Sequence, residues 1–212
     1  MPPVVDQGEL GSCTANAIVR GLREYLLLQS GRPFERLSRL YLYWHERQVE
    51  GTVGQDAGAS LRDGMKLLQK LGVCRSKLWP YTEDFRKKPD DAAEADAIHF
   101  RISEYHRVAG LNHLKAALAQ GWPVVFGMLI YESFEGPGPV ATGVIDVPDV
   151  AREQLLGGHA LCAAGYDDAQ QMVIVRNSWG TDWGKDGYCF IPYAIFQNPA
   201  LLMDMWTGSA DS

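Results

Sequence analysis

Residues 157–177 read Gly157-Gly158-His159-Ala160-Leu161-Cys162-Ala163-Ala164-Gly165-Tyr166-Asp167-Asp168-Ala169-Gln170-Gln171-Met172-Val173-Ile174-Val175-Arg176-Asn177. Two runs of small, apolar and β-branched residues flank the polar stretch from Asp167 to Gln171. That is the pattern of strand, turn and strand. Folded symmetrically about Asp168, the pair places Gly165 opposite Gln171, Leu161 opposite Val175 and His159 opposite Asn177. Directly opposed residues have Cβ atoms about 5 Å apart. In this register an imidazole meets a side-chain amide.

Further strands are predicted on either side, at Val124–Ile130 after Pro123 and at Gly187–Ile191, with Gly136–Pro139 as a loop. Upstream the periodicity changes. After Gly11-Ser12, residues Ala15, Ile18, Leu22, Tyr25 and Leu26 form an apolar stripe, with Asn16, Arg20, Arg23 and Glu24 on the other side. This predicts an amphipathic helix stopping near Ser30-Gly31. Ser38 caps a second helix through Leu40, Leu42, Tyr43 and Trp44. Ser60, with Asp63 three residues on, starts a third that ends at Gly72. Residues 80–97 read as a polar surface excursion, and Leu111–Gln120 as a short helix closed by Gly121. Helices first and strands after predict an α+β fold with two segregated lobes, residues 1–105 mainly helical and 106–212 mainly β. A cleft between lobes is a common place for a site.

The chain has 212 residues, 46% hydrophobic and 22% charged, enough to bury a sizeable core. A net charge of −6 argues against a nucleic-acid partner. Arg86-Lys87-Lys88 is cut off by Pro89-Asp90-Asp91 and reads as a solvated loop. No run of about 18 apolar residues exists, so no membrane insertion is expected. The opening Met1–Asp6 lacks the basic and apolar regions of a signal peptide, which fits a cytoplasmic location or export without a visible signal. Cys13, Cys74, Cys162 and Cys189 lie far apart, with neither metal-ligand spacing nor the density of a disulfide scaffold. The last three read as core residues.

Cys13 opens the first helix. Unpaired N–H groups and a partial positive charge gather at a helix N-terminus, which favours a thiolate and a lowered pKa. A thiolate there is a candidate nucleophile, although position alone fits a small buried residue equally well. Of His45, His99, His106, His113 and His159, only His159 faces an amide in the hairpin register. An amide that accepts the imidazole N–H fixes ring and tautomer, the logic of nucleophile, base and orienter.

Three blocks resemble the papain-like cysteine peptidases. Asp6-Gln7-Gly8-Glu9-Leu10-Gly11-Ser12-Cys13 is similar to their nucleophile motif. Gly157-Gly158-His159-Ala160, followed by Gly165-Tyr166, is similar to their histidine block. Asn177-Ser178-Trp179-Gly180-Thr181-Asp182-Trp183-Gly184, ending in Gly187-Tyr188, is similar to their asparagine block. The blocks occur in the family's order and span both ends of the chain; residues 85–113 match poorly. The resemblance implies a papain-like two-lobe fold, a helical N-terminal lobe facing an antiparallel sheet or half-barrel across the active-site cleft. It implies peptide-bond hydrolysis through a thioester acyl-enzyme, a peptide or protein substrate, and no metal or organic cofactor. Cys13 is then the nucleophile, His159 the base, Asn177 its orienter, and Gln7 an oxyanion-hole donor beside the Cys13 N–H. Trp179 shields the His–Asn bond. Gly58 and Ala59, within Asp56–Ser60, align with a stretch that pairs with the substrate backbone, and Gly158 adjoins the substrate.

Departures from the family are specific. Its usual cysteine three residues before the nucleophile is replaced by Leu10, and the region expected to hold that cysteine's disulfide partner has Asp56 and no cysteine. Thr14 stands where the family has tryptophan, and Gly158 where an acidic or polar residue is common. No stretch matches the inhibitory pro-region, so a restraining pro-segment or inhibitor protein is expected outside these residues. Trp183 reads as turn structure, Tyr41, Tyr43 and Trp44 as a core face, and Trp79-Pro80-Tyr81 as a packed loop. Two other readings keep the same residues: a transamidase or peptide ligase using the same acyl-enzyme, and a catalytically silent binding module. Against the module, all four catalytic positions carry competent residue types.

Overall fold

The structure, a computed structural model, describes residues 1–210. One unbroken helix runs through α1 (Cys13–Ala15), a π-helical stretch (Asn16–Arg23) and α2 (Glu24–Gln29). The Glu24 N–H donates to Val19 O, the wider spacing that defines the π form. The polar side expected to face water is buried. Arg20 donates to Glu24 at 2.5 Å, Glu24 accepts the Leu37 N–H at 2.9 Å, and Arg39 donates to Asn16 Oδ1 at 2.6 Å. Mutual pairing makes burial of these charges tolerable. The helix is therefore buried on both its apolar and its polar side from Thr14 to Glu24, which a period-3.6 reading cannot foresee.

α3 (Arg39–Glu50) begins at Ser38, whose hydroxyl accepts the Tyr41 N–H. α4 (Leu61–Lys70) begins after Ser60, but the serine side chain makes no cap bond; its N–H donates to Glu50 instead. The stretch read as a surface excursion contains α5 (Asp91–Ala97), capped by Asp90 and burying Ala93 and Ala97. α6 (Gly110–Ala119) matches its expected place. The Gly136–Pro139 loop is instead the start of α7 (Pro137–Thr142), because proline suits the first turn of a helix. α8 (Tyr193–Phe196) is a single turn. None of these helices is long and apolar enough to cross a membrane.

The strands are β1 (Glu104–Arg107), β2 (Val124–Tyr131), β3 (Leu155–Asp167), β4 (Met172–Arg176), β5 (Tyr188–Pro192) and β6 (Leu202–Ser209). They form one antiparallel sheet ordered β1-β6-β2-β3-β4-β5. β1 and β6 were not read from sequence, and β1 crosses the 105/106 boundary. Two cores flank the sheet. One joins α1–α5 and the intervening π stretch to Val125, Ala160 and Cys162; the other packs the opposite face with α6, α8, Phe134 and Trp183. Gly21 permits the central contact between the first helix and β3, since a Cβ there would lie 2.5 Å from Cys162 Cβ.

The hairpin exists, but its register differs from the symmetric one. Cys162 pairs with Arg176, Ala163 with Val175 and, after a bulge, Gly165 with Ile174 and Asp167 with Met172. The turn is only 168–171, held by Asp167 Oδ1 accepting the Ala169 and Gln170 N–H groups. Extending the ladder one step puts Asn177 level with Leu161. His159 is its diagonal neighbour on the same face, still within side-chain reach.

Beneath the start of the first helix, Glu46 of α3 is fully buried. Its Oε2 accepts the Thr14 hydroxyl at 2.8 Å, and its Oε1 has no partner among the described residues. A Cβ on Gly64 would come within 2.2 Å of Oε1, so Gly64 makes the room. Burial holds Glu46 well above the ordinary carboxylate range, against the opposing pull of the Thr14 hydrogen bond. A carboxyl raised on folding contributes stability that is complete below its unfolded pKa and lost as pH rises through its folded one. Glu46→Gln copies the neutral acid. The melting temperature of the wild type is expected to fall relative to that variant as pH rises above the ordinary carboxylate range of about 4.3. A constant separation of the two melting curves would contradict a buried neutral Glu46.

Candidate active site

The loop before the first helix is pinned from several sides. The Gln7 N–H donates to Ser178 O at 2.8 Å, and Asp6 bridges to Trp179. Tyr81 donates to Gln7 O at 2.7 Å and meets the Ser12 hydroxyl at 2.6 Å. Arg39 donates to Asp6 O at 2.7 Å while its guanidinium lies over the Tyr81 ring. The Gln7 side chain is buried with its amide orientation fixed: Oε1 accepts the Ser178 hydroxyl at 2.7 Å, and Nε2 donates to Leu10 O at 2.9 Å. A primary amide nitrogen has two N–H groups, so one remains for another acceptor.

Across the cavity, His159 Nε2 lies 2.8 Å from Asn177 Oδ1, which also accepts the Ser178 N–H at 2.8 Å. Because Oδ1 is the acceptor in both contacts, Nε2 carries a hydrogen and Nδ1 is the ring's free acceptor in the neutral form. Trp179 stacks on His159 with ring centroids 4.7 Å apart. Phe134 and Trp183 close the cluster edge-on against Trp179 and stack on each other. Such pairs contribute about 0.5–1.5 kcal/mol each beyond burial. His159 and Asn177 are both buried beside them. Trp183 is thus part of the aromatic cluster and not only of a turn.

Gln7, Cys13, Gly58, Ala59, Gly158, His159 and Trp179 all line one cleft of about 830 Å³. Asn177 is enclosed behind His159. Gly58 adopts φ 73°, a left-handed conformation that favours glycine. Burial pushes the Cys13 thiol up, outweighing the downward pull of the Ala160, Thr14 and Cys13 N–H groups; the Glu46 carboxyl adds to the rise. This corrects the expectation that helix placement alone lowers it. Burial pushes His159 down to about 4, with the Asn177 bond opposing. Cys13 and His159 line the same cleft, and burial favours the neutral form of each. Ser178, Phe134 and Tyr81 were not singled out for the site from sequence. Ser178 lies inside the asparagine block, so its neighbourhood was the available signal; Phe134 offered none.

The sequence pattern described as papain family cysteine protease matches residues 1–198. The chain is 38% identical over 212 residues to an uncharacterized peptidase C1-like protein of Acanthamoeba polyphaga mimivirus, covering 95% of this chain and 68% of the relative. It is 30% identical over 193 residues to cysteine proteinase 1 of Entamoeba histolytica, covering 88% of this chain and 58% of that relative. The solved structure of xylellain, a cysteine protease from Xylella fastidiosa, superposes with a TM-score of 0.93 at 40% identity, covering 100% of this chain and 85% of that one. A Carica candamarcensis cysteine protease, solved with E-64, shares the fold at TM-score 0.75 and 21% identity, covering 100% and 94%.

Burial of both groups sets a pH window. Alkylation of Cys13 by iodoacetamide is expected to rise through an acid limb near 4, the range to which burial moves His159, and to persist past the ordinary thiol range of about 8.5. His159→Ala should abolish that limb. An acid limb at an ordinary imidazole value of about 6.5 would contradict the buried pair.

Proposed function

Because the chain belongs to the papain family of cysteine proteases, we propose that it hydrolyses peptide bonds with Cys13 as nucleophile, His159 as base, Asn177 as orienter and Gln7 as oxyanion donor. The observation that carries this reading is the 2.8 Å contact between His159 Nε2 and Asn177 Oδ1, at the wall of the cleft that Cys13 and Gln7 also line.

The Cys13 proton passes to His159 Nδ1 as sulfur attacks the carbonyl carbon. The oxyanion takes the free Gln7 N–H and the Cys13 backbone N–H; one such donor is commonly worth about 100- to 1000-fold in turnover. The imidazolium, held by Asn177, then protonates the leaving amine as the tetrahedral intermediate collapses to a thioester. Water gives a proton to His159 and attacks the thioester, and the carboxylic acid departs with the thiol restored. Gly58 and Ala59 lie along one wall, where their backbone groups face the substrate. Gly158 leaves space on the other, and Trp179 covers the base.

A peptide vinyl sulfone is expected to add once, at Cys13, as read by intact mass and peptide mapping. Cys13→Ala and His159→Ala should lose both this label and peptide hydrolysis. Hydrolysis that survives Cys13→Ala, or labelling spread over Cys74, Cys162 and Cys189, would overturn the reading. Products carrying an added amine in place of water would mark a ligase.

A further inference from the structure

We propose that Asp56 is a positioning residue: its carboxylate clamps the nucleophile loop to the substrate-facing stretch 56–59. The inference rests on the peptidase reading above. All four cysteines are free, so no covalent link joins these two parts of the cleft. Instead the Gly11 N–H, two residues before Cys13, points between both Asp56 oxygens at 3.1 and 3.0 Å. The Tyr43 hydroxyl donates to the same carboxylate, and the Gly58 N–H donates to that hydroxyl at 3.3 Å.

The clamp has a rigid base. Tyr43 is fully buried, and the Arg47 guanidinium lies 4.2 Å from its ring centroid. Arg47 in turn donates to Val53 O at 2.8 Å, Gln55 O at 3.2 Å and Phe85 O at 2.6 Å. Residues 53–58 are thereby held from behind by Arg47 and in front by Tyr43 and Asp56. The approach is close: a Cβ on Gly11 would sit 3.3 Å from Asp56 Oδ1 and 3.5 Å from Gly58 N, which explains a glycine there. The same loop carries Leu10 O, which orients the Gln7 amide. Gly11, Asp56 and Gly58 all line the cleft. One carboxylate therefore sets the spacing between the attacking sulfur and the backbone stretch along which a peptide lies. Hydrogen bonds to an ionised acceptor are the stronger kind and suit this task.

A peptide that runs along residues 56–59 needs this spacing; a small alkylating reagent does not. Asp56→Asn keeps the shape but offers a single acceptor oxygen, and it remains informative where Asp56→Ala fails to fold. Asp56→Asn is expected to raise KM for an extended peptide about tenfold, with kcat changed less than about threefold. Iodoacetamide inactivation at Cys13 should stay within about twofold of wild type. Tyr43→Phe should reproduce the KM effect, and the double variant should lose less than the product of the two. A KM unchanged in both single variants, or alkylation that falls in step with hydrolysis, would overturn the clamp. A wild type inert to both reagents would remove the peptidase reading itself.

Discussion

The Ser178 hydroxyl reaches Gln7 Oε1 at 2.7 Å, and the Ser178 carbonyl takes the Gln7 N–H at 2.8 Å. One residue earlier, Asn177 Oδ1 holds both the Ser178 N–H and His159 Nε2. Two consecutive residues leaving β4 thus orient His159, the proposed base, on one side and Gln7, the proposed oxyanion donor, on the other. They also join the chain's beginning to its sheet, because Gln7 belongs to the loop that leads into the first helix. The Asp6–Trp179 bridge and the Gly180 N–H bond to Val5 O, at 3.2 Å, extend this seam. The first helix also packs on β3 where Gly21 meets Cys162, and the seam adds a second tie between the Cys13 loop and the strand of His159.

Burial gives this seam its chemical effect. His159 and Asn177 are buried beside the cluster of Trp179, Trp183 and Phe134, and desolvation disfavours both imidazolium and thiolate taken singly. In the proposed mechanism the charged forms arise together, when a carbonyl and the oxyanion donors are present. Polar groups buried nearby pair within the protein: Arg20 with Glu24, Asn16 with Arg39, and Thr14 with Glu46. Thr14 and Glu46 together fill the space beside the nucleophile where a tryptophan was the family expectation.

The motif residues and the division into helices and strands were legible because each rests on local spacing. The hairpin was legible for the same reason, but its register was not. A side-chain cap from Asp167 shortens the turn and a bulge at Ala164 shifts the ladder, so His159 reaches Asn177 diagonally and not directly. The buried polar side of the first helix was read as solvent-facing, since partners such as Arg39 and Leu37 come from another segment. β6 was missed because Asp204 and Gly208 break its apolar run, and only pairing with β1 and β2 defines it. Phe134, in a short 3-10 turn at Glu132–Glu135, gains its place from contacts with residues 45 and 49 positions later in the chain, Trp179 and Trp183.

The seam is tested most directly by a double-mutant cycle in kcat on Ser178 and Gln7. If Ser178 acts by orienting the Gln7 amide, Ser178→Ala slows the wild type but costs almost nothing more in a Gln7→Ala background. The doubly substituted enzyme then turns over at the Gln7→Ala rate, about 100- to 1000-fold below wild type. Losses that multiply, with Ser178→Ala equally harmful in both backgrounds, would show that the serine does not work through Gln7 and would contradict this account.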